Sequence, residues 1–147
     1  MQLFFLHSNQ NIQFIFKQLH IQTLLKLHKI GFSKGVYLEN KQSGLSQTTF
    51  LNAILIGCGC QDFMWVEEVI EKYGKFLHSS NREETLKYGK IVLYYTKGDA
   101  LNDSTSFYKV IELYQKVQNV SKQFEISLRS ILVRVYYEII DKQKDIG

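Results

Sequence analysis

The sequence predicts an all-α chain in which antiparallel helical hairpins stack as a short solenoid of about six helices. Three observations predict it. The heptapeptide VIEKYGK at Val69 to Lys75 returns as VIELYQK at Val110 to Lys116, 41 residues later, with Val, Ile, Glu, Tyr and Lys in register. A second pair follows at a shift of 42, LKYGKIVLYY from Leu86 against LRSILVRVYY from Leu128. Periods of roughly 20 to 50 residues mark supersecondary units that stack to share a core. The chain of 147 residues also contains no proline, where average usage would give about seven, so nothing in it forbids long helices.

The elements follow in order. Over residues 11–31, Ile12, Ile15, Phe16, Leu19, Ile21, Leu24, Leu25, Leu27 and Ile30 predict a helix with a wide buried face. Residues 32–46, with Gly35, Asn40, Ser43 and Gly44, read as a connection holding one short turn. Ser46 caps a helix over 47–59 that places Phe50, Leu51, Ile54, Leu55 and Cys58 on one side. Asp62 caps a helix to about Leu77, with Glu67, Glu68 and Glu71 early and Lys72 and Lys75 late, the order the helix dipole favours. Asn81 and Glu84 form a capping box for a helix carrying Leu86, Tyr88, Ile91, Val92, Tyr94 and Tyr95, which stops at Gly98. The polar segment ALNDSTS, residues 100–106, reads as a loop. A helix over 107–120 and a last one from Ser121 or Lys122 to about Lys142 complete three antiparallel pairs.

Composition bounds the function. A hydrophobic content of 45% with 14% aromatics excludes a disordered chain. The longest apolar run, residues 53–60, falls far short of the roughly 20 residues that span a bilayer. The apolar start at residues 1–6 lacks the basic flank of a secretory signal. Cys58 and Cys60 stand two apart, where helical side chains diverge, so they read as small packed residues rather than a disulfide or metal pair. This suits a reducing, cytoplasmic setting. The histidines His7, His20, His28 and His78 form no metal spacing, and no cofactor is implied. GCGC at residues 57–60 lacks the Lys-Ser/Thr of a phosphate loop, and no nucleophile elbow is present. The net charge of +4 is unevenly spread: residues 1–50 hold five lysines and one acid, the rest 13 bases and 13 acids.

A third copy of the leading helix lies at residues 51–62, where Ile54 and Asp62 align with Ile91 and Asp99 at a shift of 37. The shift widens only across ALNDSTS, so the unit is a helical pair in the mid-thirties, close to the roughly 34-residue tetratricopeptide period. Over residues 51–141 the chain resembles the tetratricopeptide-like helical repeat proteins. Tyr88-Gly89, Tyr94, Tyr95 and Gly98-Asp99 are similar to the leading helix and its turn, and FYKVIELYQKV from Phe107 is similar to the returning helix. It departs from them in the inserted ALNDSTS, in Val110 where alanine is usual, and in the missing closing proline. The resemblance implies a right-handed α-solenoid whose members typically serve as protein-binding scaffolds, and it brings no catalytic residues.

One domain over 1–147 is expected, with a basic helical part at 1–45 and repeat pairs at 46–141, and it reads as one end or fragment of a longer array. The expected function is a non-catalytic scaffold for a protein or peptide partner. The alternative is a weak nucleic-acid binder using the basic first third, which contains no arginine to read bases or clamp phosphates. Candidate contact residues are Lys17, Lys26, Lys29, Lys34, Lys41, Tyr95 and Tyr137. In each adjacent pair, Tyr94-Tyr95 and Tyr136-Tyr137, one ring is expected inside the hairpin, and Trp65 is expected to anchor neighbouring helices. The last helix has no returning partner in the sequence, so one flank of it should be exposed or available for self-association.

Overall fold

The computed structural model describes residues 2–38, 44–117 and 120–146, with side chains from residue 12 onward. Lys41, Asn40 and Ser43 lie outside the described residues, as does the His7 side chain. Among the described residues six α-helices form: α1 Gln2–Ser33, α2 Gln47–Gly59, α3 Phe63–Glu68, α4 Arg82–Leu101, α5 Ser104–Gln115 and α6 Lys122–Asp145. A short 3-10 turn, Val36–Leu38, follows α1, and α3 runs on through a π turn, Val69–Tyr73, into a 3-10 turn, Gly74–Phe76. Helices α2, α4 and α5 each pack on the helices on either side of them in the chain or beyond, and α4 touches both α2 and α6.

Local chemistry sets most boundaries. The Ser46 hydroxyl accepts from the Thr49 amide, and Asp62 Oδ1 accepts from the Trp65 amide at 3.3 Å, so α2 and α3 start at side-chain caps. Asn81 makes no such bond. Glu84 leaves the expected capping box and instead accepts from the Ser121 amide at 2.6 Å, joining the start of α4 to the start of α6.

Two segments correct the sequence reading. ALNDSTS is not a loop: α4 passes through Gly98 to Leu101, and the turn needs only Asn102, at φ 54, and Asp103. Asp103 caps α5, accepting from the Thr105 amide at 3.0 Å and the Ser106 hydroxyl at 2.7 Å. The polar residues that suggested a loop are cap residues. Gly98 is needed for closeness rather than for a stop, since a Cβ there would lie 2.8 Å from the Phe107 ring. The second correction concerns the echo itself. VIELYQK lies mostly in the regular helix α5, whereas VIEKYGK takes the π and 3-10 turns. The wider turn brings Val69, Ile70 and Tyr73 into the core together, while Ile111 and Tyr114 in the second copy are only half-buried.

Two apolar clusters result. The first gathers Phe32 of α1, Phe50, Ala53 and Ile54 of α2, Val66 of α3, Val69, Tyr73 and Leu77 beyond it, and Val92 and Leu93 of α4. The second joins Ile91 of α4 to Phe107 and Val110 of α5 and Phe124, Leu128, Val135 and Ile139 of α6. Helix α4 is thus apolar on two sides because it stands between two cores. Gly89 lets it approach α2 closely, since a Cβ there would meet Ile54 Cδ1 at 2.6 Å. On its other side the Tyr88 ring stacks on Phe124 at 4.4 Å.

Candidate partner-binding surfaces

Helix α1 departs most from expectation. Leu25 and Phe32 are buried and Ile21 and Leu24 half-buried, but Ile12, Ile15, Phe16, Leu19, Leu27 and Ile30 are exposed. The wide buried face exists only near the C-terminal end, where α1 meets α2 and the Val36–Leu38 turn. Every described side chain from residue 12 to 20 is exposed. Ile12, Phe16, Leu19, Leu27 and Ile30 recur at helical spacing and form one apolar stripe on the side away from Leu25 and Phe32.

The lysines of this region divide. Lys17, Lys26 and Lys34 are exposed, with no acidic residue in the sequence before Glu39. Lys29 is drawn inward: its ammonium donates to Asp62 Oδ2 at 2.5 Å and lies 5.8 Å from the Trp65 ring centre. Asp62 therefore caps α3 with one oxygen and ties α1 to it with the other. Trp65 is half-buried against the first core, beside Gly57, where a Cβ would meet Val66 at 2.4 Å and the indole at 3.0 Å.

The two candidate tyrosines are not brought together by any recorded contact. Tyr95 is half-buried, its ring 6.4 Å from Phe107, and its hydroxyl beside Arg134 pushes that guanidinium still higher, with Asp99 adding to the effect. Tyr137 is exposed, and so is Tyr136, which corrects the expectation of one inward ring. Val135 and Ile139 already occupy the inward face of α6.

A groove of about 460 Å³ runs between α4 and the turns after α3. Ile70, Leu86 and Leu93 give it an apolar floor, and Glu71, Lys75 and Lys90 line it with both signs of charge. Lys97 donates to Glu67 at 3.0 Å at its wall, and Arg82 donates through Nε and Nη2 to the Leu77 carbonyl at 3.1 and 2.8 Å. Sequence reading missed this groove because its walls come from segments whose facing sides are set by the π turn. The carboxylates Glu67 and Glu68 each sit in an ion pair, Glu68 with Lys72 at 3.7 Å.

Burial pushes Cys58 and His28 toward their neutral forms. Burial pushes the Cys58 thiol up to about 11, only partly offset by a hydrogen bond with Thr96, so the thiolate nucleophile is suppressed. Burial likewise lowers His28, whose Nδ1 lies 3.3 Å from the Tyr37 hydroxyl. Among the described residues no group of three His, Cys, Asp or Glu side chains is placed to hold a metal ion, and no helix is long and apolar enough to cross a membrane. Comparison with known proteins adds no relative to these surfaces: no family model, curated protein or solved structure matches the chain.

Proposed function

We propose that the chain is a non-catalytic scaffold of the tetratricopeptide-like kind, a short right-handed solenoid that binds another protein or a peptide. The observation that carries this reading is the packing of α4 on both α2 and α6, with α3 and α5 lying between them in sequence. Alternate helices that neighbour one another in this order are what stacked hairpins produce. The second support is the apolar stripe of α1, which no described residue covers and which displays Phe16 and Leu19 near Lys17. Exposed apolar residues gathered on one helix face mark interaction sites. The flanking charge, with lysines and no acid, favours an acidic amphipathic segment as the partner.

The test is capture on the immobilised chain in parallel with Phe16→Glu/Leu19→Glu, two exposed changes that leave both cores intact. A partner that survives nuclease and about 0.5 M salt and is lost with the double variant supports the reading, because phosphate-driven binding falls steeply with salt. Retention of nucleic acid alone, released by salt and by Lys17→Ala/Lys26→Ala/Lys34→Ala, would replace it with the nucleic-acid reading.

A further inference from the structure

The groove between α4 and the turns after α3 has a polarity along its length. On the α4 wall Arg82, Leu86, Lys90 and Tyr94 follow at four-residue steps and span about 18 Å at 1.5 Å per residue. The facing wall runs the other way: Glu67 pairs with Lys97 at 3.0 Å, Gly74 lies flat against Leu86, and Lys75 continues toward Arg82. The Arg82 end is therefore cationic, Ile70 and Leu93 floor the middle, and the ion pair neutralises the far end. The Leu77 carbonyl holds Arg82 through Nε and Nη2, a neutral acceptor that orients the guanidinium without cancelling its charge and engages neither Nη1 hydrogen. Among the described residues Arg82, Lys75 and Lys90 take part in no ion pair, and Glu71 is the one lining carboxylate outside one.

We propose that this groove binds an extended peptide segment of another protein, with an acidic residue at the Arg82 and Lys75 end and apolar residues at alternate positions over the floor. The dimensions select an extended chain. A volume of about 460 Å³ over about 18 Å leaves a mean cross-section of about 26 Å². An extended chain takes about 47 Å² within stacked sheets, the product of strand and sheet spacings, and its inward half needs about 24 Å². The inward half of a helix about 10 Å across would need about 40 Å². At about 3.3 Å per residue the groove takes about five residues, and alternation turns every second side chain toward Leu86, Ile70 and Leu93.

Charge selects the sign of the segment. Three cations against the one carboxylate outside an ion pair favour an anion, and the concentration of Arg82 and Lys75 at one end fixes where it sits. An acyl carboxylate would match that end and the floor, but it has nothing to offer Glu71 and Lys90, which face each other from opposite walls. A peptide backbone supplies an amide for the first and a carbonyl for the second. The groove shares no residue with the α1 stripe, so it stands apart from the partner reading above.

Methyl spectra of the full chain, labelled at isoleucine and leucine, test it by titration with the blocked pentapeptides ESLSL and LSLSE. Both are used because the groove fixes the cationic end and not the direction of the bound chain. One of them is expected to give saturable shifts at the Ile70, Leu86 and Leu93 methyls. Its dissociation constant should rise about tenfold when its glutamate is replaced by glutamine, and the shifts should vanish when both its leucines become serine. Lys75→Glu, with unchanged helical circular dichroism, should weaken it at least tenfold, and Lys122→Glu, outside the groove, should not. Phe16→Glu/Leu19→Glu should bind it unchanged, which separates this site from α1. Four results would each overturn the proposal: saturation by neither peptide, equal affinity for the glutamine form, indifference to Lys75→Glu, or loss with the α1 variant. Decanoate shifting these methyls where neither peptide does would assign the groove to an acyl carboxylate instead.

Discussion

Phe107 joins three helices, and Phe107→Ala measures how tightly they are joined. Its side chain is 1% exposed, closes on the bare backbone of Gly98 in α4, and carries the Lys142 ammonium of α6 5.0 Å above its ring. Truncating a buried phenylalanine costs about 3–5 kcal/mol through lost burial and the cavity left behind. The lower half of that range would need the cavity to collapse, which the Gly98 backbone and the α5 turn resist, so about 4 kcal/mol is expected. With a urea slope of about 2 kcal/mol per molar for a chain of this size, the unfolding midpoint should fall by about 2 M. Circular dichroism at helical wavelengths during urea titration reads it. Two controls separate burial from charge. Met64→Ala, at an exposed position, should move stability by less than about 0.5 kcal/mol. Lys142→Met should be neutral or stabilising, since the Lys142 Nζ is buried without a hydrogen-bond partner. A Phe107→Ala midpoint within about 0.5 M of the unaltered chain would refute the account of α4, α5 and α6 as one core.

Further outcomes follow from single groups. His28 is lowered below its ordinary value of 6.5 by burial, so the unfolded chain binds its proton more readily than the folded one; the stability it confers is complete above about pH 6.5 and falls as pH drops below that value. Thermal melts from pH 7.5 to 5 should show this decline flattened in His28→Gln. Asp62→Ala should lose about 1 kcal/mol or more, because one residue supplies both the α3 cap and the Lys29 pairing, while Asn81→Ala, which removes no cap bond, should cost less; urea titration ranks them. Cys58, with its thiol pushed up to about 11, should resist iodoacetamide in the folded chain at pH 8 and react once urea exposes it, as peptide mass spectrometry would show.

Much of the fold was legible in the sequence because local chemistry dictated it. Ser46 and Asp62 are caps that precede apolar runs, and the structure uses both as such. The positions Val69 and Val110, equivalent in the echo, are both buried at 1% or less. What was not legible depended on partners in space. Nothing local distinguishes Leu25, which meets the body, from Leu19, which runs clear of it. The π turn arises where Tyr73 packs on Phe32 at 4.7 Å and its hydroxyl donates to the Phe32 carbonyl at 3.3 Å, contacts made 41 residues apart. Asn102 and Asp103 show the opposite case: the turn chemistry was visible, but its brevity was hidden by polar residues belonging to the helix starts. Among the described candidate contact residues only Lys29 is engaged internally by an ion pair, through an acid 33 residues away that spacing could not reveal.

The packing of α4 against both α2 and α6 carries the proposed function, and one spectrum tests it. A nuclear Overhauser experiment on the folded chain should give contacts from the Gly89 α-protons to the Ile54 δ1 methyl and, from the adjacent residue, between the Tyr88 and Phe124 rings. Both together place α4 between α2 and α6. A folded, helical chain showing only one of these contacts, or neither, would contradict the packing of α4 between α2 and α6 and the scaffold proposed from it.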